Sequence, residues 1–180
     1  MRRVTLLISA IGVVILLASG LALAATLEGT GGPDTLVGTP GPDDIRGRGG
    51  GDNLSGAGGI DRVRGDGGND TVSGGPGGTL DRRERVEGNN GDDSVSGDGG
   101  ADEVRGDIGN DGMDGGDGAD LIRADDSGTD TVSAGPGDDV IEAHDDAGFD
   151  TIDCGDGIDT VDFDGGVDVV AANCENRDPH

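Results

Sequence analysis

The chain repeats itself every nine residues. From Gly29 it can be laid out in end-to-end frames: GTGGPDTLV, GTPGPDDIR, GRGGGDNLS, GAGGIDRVR and GDGGNDTVS. GGPGG at 74–78 interrupts, and the frames resume with TLDRRERVE, GNNGDDSVS, GDGGADEVR, GDIGNDGMD and GGDGADLIR. Ala124 is one extra residue before DDSGTDTVS and AGPGDDVIE, and Ala143 and His144 are two before DDAGFDTID, CGDGIDTVD and FDGGVDVVA. In these 15 frames, spanning residues 29–171, the eighth residue is always apolar. The sixth is aspartate in 14, with Glu84 the exception, and the fourth is glycine in 14, with Arg82 the exception. Fixed offsets of this kind define a repeat architecture before any single residue is interpreted.

Each half of a frame has its own physics. The glycine-rich first half turns tightly, because glycine reaches positive φ without steric cost. The second half, as in D-T-V-S, is β-prone. A strand alternates its faces, so the sixth and eighth side chains share one side and the seventh and ninth the other. With serine, arginine and acids common at the ninth place, the eighth must face inward. A frame is therefore a turn plus a short strand, two frames make one coil, and frame n lies under frame n+2. The degenerate frame beside the insertion marks a seam near 74–87.

Such a chain can bury only small side chains. It has 40 glycines, two phenylalanines and no tryptophan or tyrosine, and all 12 basic residues are arginine. Against them stand 38 acids, for a net charge of −26. Acidity of this order excludes nucleic acid and anionic membrane surfaces as partners, since both select basic faces. It favours a cation. Residues 1–24 differ: a basic MRR, an uncharged apolar run, and Ala22-Leu23-Ala24 form a secretory signal pattern with Ala25 as the expected mature start. An uncleaved N-terminal anchor is the alternative. Either way residues 25–180 are expected outside the cell, and loss of Arg2 and Arg3 takes the net charge to −28.

The pattern G-G-x-G-x-D-x-U-x, with U apolar, closely resembles that of the haemolysin-type (repeats-in-toxin) calcium-binding family. GDGGNDTVS at 65–73 and GDGGADEVR at 97–105 carry the resemblance most fully. It implies an all-β fold, a right-handed parallel β-roll, with calcium held in the turns. The residues agree with that ion. Calcium takes six to eight oxygens, and a glycine turn offers carbonyls where the aspartate offers a carboxylate. Stacked aspartates repel unless a cation lies between them. The expected ligands in uninterrupted register are Asp34, Asp43, Asp52, Asp61 and Asp70, then Asp93, Asp102, Asp111 and Asp120. Asp130, Asp139, Asp150, Asp159 and Asp168 follow, with extra residues nearby and no first-place glycine. So few apolar side chains cannot fold this charge unaided, which couples folding to the metal.

Cys154 and Cys174 are separated by little more than one coil, and an exported chain is expected to bridge them and fasten the last coil. His144 and His180 are the only histidines; no nucleophile triad or H-E-x-x-H motif has a scaffold, so no enzyme is expected. The expected role is an exported structural or interaction module. An adhesin or ice-binding solenoid, or a cryptic secreted hydrolase, is the alternative. An ice-binding surface needs a regular threonine array. The seventh residues Thr35, Thr71, Thr131, Thr151 and Thr160 are mixed with Asp44, Arg62, Arg85, Glu103 and Leu121, so no array is expected.

Overall fold

A single buried side chain per frame is enough for a fold only when coils stack and each such side chain packs on the next. The computed structural model describes residues 4–7, 13–15, 24–77, 82–124, 127–144 and 148–180, and the described chain stacks in this way. Successive frames send their strands to two opposite sheets, one of ten strands and one of nine. Every neighbouring pair is parallel. The protein is thus a parallel β-solenoid, as the repeat requires. Most of the expected leader lies outside the described residues; Val4–Leu7 and Val13–Ile15 within it pair with Ala25–Glu28 and Thr35–Val37.

The eighth residues line up as ladders between the sheets. In the nine-stranded sheet Leu36 pairs with Leu54, Leu54 with Val72, and Val72 with Val95. In the other Ile45 pairs with Val63, Val63 with Val86, and Val86 with Val104. These side chains form one core, nearly all of it sealed from solvent. The stack runs past the frames visible in the repeat: Leu27 joins the core at one end, and Asn176–Pro179 adds a strand at the other.

The register is kept on both sides of the seam. Gly75 pairs with Asp98 and Pro76 with Gly99, while Glu84 pairs with Asp102. GGPGG therefore supplies the turn of this coil, with Gly77 rather than Arg82 at the fourth place. The five surplus residues fall between Gly77 and Glu84, so TLDRRERVE is not a complete frame. Ala124 and Ala143 are likewise not surplus. Ala124 donates its N–H to the Glu142 carbonyl as first-place residues do, and Ala143 pairs with the first-place Phe163.

Two frames per coil also sort the outward residues. The nine-stranded sheet carries Thr35, Asn53, Thr71, Ser94, Gly112, Thr131 and Thr151 in one row at the seventh place. Its ninth-place row is Val37, Ser55, Ser73, Ser96, Asp114, Ser133 and Asp153. Asp44, Arg62, Arg85, Glu103, Leu121 and Thr160 all lie on the other sheet. There, ion pairs such as Arg48–Glu28 and Arg64–Asp44 lace neighbouring strands. Of the five threonines read as mixed with charges, Thr35, Thr71, Thr131 and Thr151 share the nine-stranded sheet, in a row interrupted by Asn53 and Gly112, and Thr160 lies on the charged face.

Candidate metal centre

The alternation that buries the eighth side chain also buries the sixth. Asp34, Asp43, Asp52, Asp61, Asp70, Asp93, Asp102, Asp111, Asp120, Asp130, Asp139, Asp150 and Asp159 are all buried, none more than 6% exposed. They form two columns, one under each edge where a turn becomes a strand. In the first, the backbone N–H of each aspartate donates to Oδ1 of the aspartate one coil on: Asp34 to Asp52 at 2.8 Å, Asp52 to Asp70 at 2.7 Å, Asp70 to Asp93 at 2.7 Å and Asp93 to Asp111 at 2.7 Å. The series continues through Asp130 and Asp150 to Asp168. In the second, Asp43 donates to Asp61, Asp102 to Asp120, Asp120 to Asp139 and Asp139 to Asp159. The later aspartates stack as regularly as the early ones, although 19 or 20 residues separate them instead of 18.

One oxygen of each carboxylate except that of Asp102 is thus fixed by the backbone. The other is left over along most of both columns. Oδ2 of Asp52, Asp61, Asp70, Asp93, Asp102, Asp111, Asp120, Asp139 and Asp159 is buried without a hydrogen-bond partner. An uncompensated buried carboxylate is costly. Burial pushes Asp70, Asp93, Asp111 and Asp139 up to about 6, with the charges of neighbouring carboxylates adding to the rise. Burial pushes Asp102 and Asp120 up to about 7. Asp43, Asp52 and Asp159 are also raised by burial. The ionised columns call for positive charge.

The first-place glycines shape the space beside these oxygens. A Cβ on Gly56 would lie 2.6 Å from Asp61 Oδ2, and one on Gly65 would lie 2.6 Å from the Gly88 carbonyl oxygen while overlapping Asp70 Oδ2. A carboxylate oxygen and a carbonyl of the next coil therefore face one small space that any side chain would fill. Positive φ belongs elsewhere in the turn, at the second place (Asp66, 70°) and the fourth (Gly68, 120°). Glycine at the first place is thus required for room and not for backbone freedom. In the later coils Ala124, Ala134, Ala143 and Cys154 stand at that place, and all four are buried.

Hard oxygen donors of this kind, carboxylate and carbonyl without thiol or imidazole, suit calcium. Among the described residues no three His, Cys, Asp or Glu side chains come together in a way that could hold a metal. A site built here must draw on backbone carbonyls, and the stacked aspartates do not clasp an ion as a simple pair. Where an aspartate of the columns has an oxygen to offer, it offers one, Asp102 excepted: both of its oxygens are unpartnered.

Three acids or ends were overlooked as members of the columns. Glu84 takes the sixth place between Asp61 and Asp102, signalled in the repeat as the exception to aspartate. Glu175 accepts the Asp159 N–H at 3.1 Å, and Ala25 at the opposite end donates to Asp43 at 2.5 Å. Cys154 and Cys174 form a disulfide with Cα atoms 5.3 Å apart. His144 and His180 meet on Asp162, at 3.4 and 2.8 Å, tying the chain end to the preceding coil.

Residues 28–63, 47–78, 87–122 and 125–147, together more than half of the chain, match the RTX calcium-binding nonapeptide repeat in four copies. A search of curated proteins finds no match.

Proposed function

The chain belongs to the RTX calcium-binding nonapeptide repeat family and is a calcium-binding repeat protein; from that premise we propose that it is exported and folds when calcium reaches it. It then serves as a rigid structural or interaction module and not as an enzyme. The observation that carries this reading is the pair of aspartate columns, buried and lined with unpartnered oxygens. Metal that binds only the folded chain adds its binding free energy to folding. The signal-like segment 1–24 supports export, and the Cys154–Cys174 bridge suits an oxidising compartment. Far-ultraviolet circular dichroism of the chain, with calcium and with chelator, tests the proposal. Calcium should convert a largely disordered spectrum into a β spectrum. Equally strong β signal in excess EDTA would sink it.

One observation favours a second reading, adhesion to a regular solid such as ice. In a chain of net charge −26, the outward rows from Thr35 to Ser96 on the nine-stranded sheet carry no charge. Strands repeat about every 4.8 Å, so hydroxyls stand at lattice-like intervals. An ice-recrystallisation assay of the calcium-loaded protein decides it, and unchanged crystal growth would discard it.

A further inference from the structure

The arginines are sorted to one side of the solenoid. Among the described residues, none lies on a strand of the nine-stranded sheet. Arg46, Arg48, Arg62, Arg64 and Arg85 instead fall on three consecutive strands of the other sheet, Asp44–Gly49, Arg62–Gly67 and Glu84–Asn90. In a chain of net charge −26, the outward places of these strands set five arginines against three acids, Asp44, Asp66 and Glu87. A groove of about 460 Å³ crosses the three strands, and Arg48, Arg62 and Arg64 line it with Asp66 and Glu87.

The neighbouring acids do not saturate these guanidinium groups. Glu28 accepts from Nη2 of Arg48 at 2.6 Å and Asp44 from Nη2 of Arg64 at 2.7 Å. Glu87 is held by Arg85 at 2.8 Å and meets Arg62 only at 3.4 Å. A guanidinium carries five N–H donors in a fixed fork, so each of the three keeps donors to spare. Arg64 carries the argument furthest: it is 8% exposed, and its Nε is buried without a hydrogen-bond partner. A buried cation with an unused donor calls for a further acceptor. Beside the groove lies a second hollow of about 280 Å³, joined to it through Asn89 and Asn90, which line both. Its far wall is Ile108, an apolar side chain 55% exposed.

We propose that this groove binds a small organic phosphate or sulfate monoester, with its oxyanion on Arg48, Arg62 and Arg64 and its organic part over Asn89, Asn90 and Ile108. Three guanidinium groups match the three terminal oxygens of a monoester better than the two of a carboxylate. The acidity of the rest of the chain does not forbid it, because charges more than about 8 Å away are screened at physiological ionic strength. Calorimetric titration of the calcium-loaded chain tests the site with phenyl phosphate, phenyl sulfate, inorganic phosphate and acetate. One equivalent of a phenyl ester should bind, more tightly than inorganic phosphate or acetate. Arg48 and Arg62 have side chains 52% and 46% exposed, so Arg48→Gln with Arg62→Gln should leave the calcium midpoint of folding unchanged. That double variant should bind the ester about tenfold more weakly or worse, and Asp66→Asn, which removes a carboxylate from the groove, should bind it more tightly. A folded wild-type chain with no saturable ester binding overturns the proposal and leaves the calcium-linked fold intact. Unchanged affinity in the double variant also overturns it, since the anion would then sit on calcium in the turns. Should the double variant not fold, weaker binding or no change in Asp66→Asn overturns the site. Acetate or inorganic phosphate binding as tightly as the phenyl esters overturns the assignment to a monoester.

Discussion

Replacing Asp52 with asparagine should act in opposite directions with and without calcium. Asp52 is 3% exposed; its Oδ1 accepts the Asp34 N–H at 2.8 Å, and its Oδ2 has no partner. Asparagine keeps the Oδ1 bond. In place of Oδ2 it puts an N–H group, which a cation rejects and which the Gly65 carbonyl, 2.7 Å from the Gly47 Cβ position, can accept. Removing one partner of a buried charge pair costs about 3–5 kcal/mol. Unpartnered Oδ2 atoms recur along both columns. If on the order of ten ions enter with folding, about 4 kcal/mol is spread as about 0.4 kcal/mol per ion, a roughly twofold rise in the calcium midpoint. Asp44→Asn is the comparison. Its side chain is 48% exposed and pairs with Arg64 at 2.7 Å. An exposed pair is worth at most about 1 kcal/mol, which moves the midpoint by less than about 1.2-fold. In chelator the order reverses: Asp52→Asn removes a buried charge and should retain more β signal than wild type. Calcium titrations followed by circular dichroism measure both arms. Coincident midpoints for the two variants would refute the assignment of Asp52 to the inward column.

Acid should partly replace calcium. The folded-state values of Asp70, Asp93, Asp111, Asp139, Asp102 and Asp120 lie above the ordinary aspartate value of 3.8, so the stability gained by protonating them is full below that value and lost as pH rises through about 6 to 7. Decalcified protein titrated from pH 7 to 4 should gain β signal, and a flat trace would contradict the burial of these charges. Gly47→Ala pushes a methyl onto Asp52 Oδ2 and should cost about 1–3 kcal/mol in the calcium-loaded protein, whereas Gly31→Ala, with nothing within 4 Å, should be silent in thermal melts. Reducing the Cys154–Cys174 bridge should cost about 3 kcal/mol and loosen the last coil first, as amide exchange would report; two alkylatable thiols in unreduced protein would show that no bridge forms.

What the repeat made legible was whatever depends on one frame at a time. The inward eighth residue, the buried sixth aspartate and the parallel stack follow from period two within a strand and nine along the chain, and they appear in the ladder Leu36–Leu54–Val72. The pairing of Cys154 with Cys174 was legible for the same reason, as a spacing near one coil. The fate of Oδ1 was not. Spacing brings Asp52 and Asp70 together, but only the backbone direction shows that the N–H of one is aimed at the carboxylate of the other, leaving one oxygen each for a cation.

The seam and the two faces were hidden because a linear frame cannot tell which residues of a longer stretch are surplus, or which frames share a sheet. Laid end to end, GGPGG looks like the insertion and TLDRRERVE like a frame. Hydrogen bonding decides otherwise: a coil must present its turn beneath Asp98-Gly99, and Gly75-Pro76 do so, which puts the surplus in the sequence between Gly77 and Glu84. The consequence for Glu84 is chemical. A misaligned frame makes it a lapse in the repeat, whereas the true register puts it in line with Asp61 and Asp102, with a longer arm and the same inward aim. The sorting of faces has the same origin. Because a coil is two frames, every second seventh residue belongs to the opposite sheet, and a threonine row reads as noise until alternate frames are separated. Thr35, Thr71, Thr131 and Thr151 then share one face, and the arginines that diluted them share the other. A coil with an odd number of frames would mix those rows, so two frames per coil let this chain keep a charged face and a nearly uncharged one on the same core.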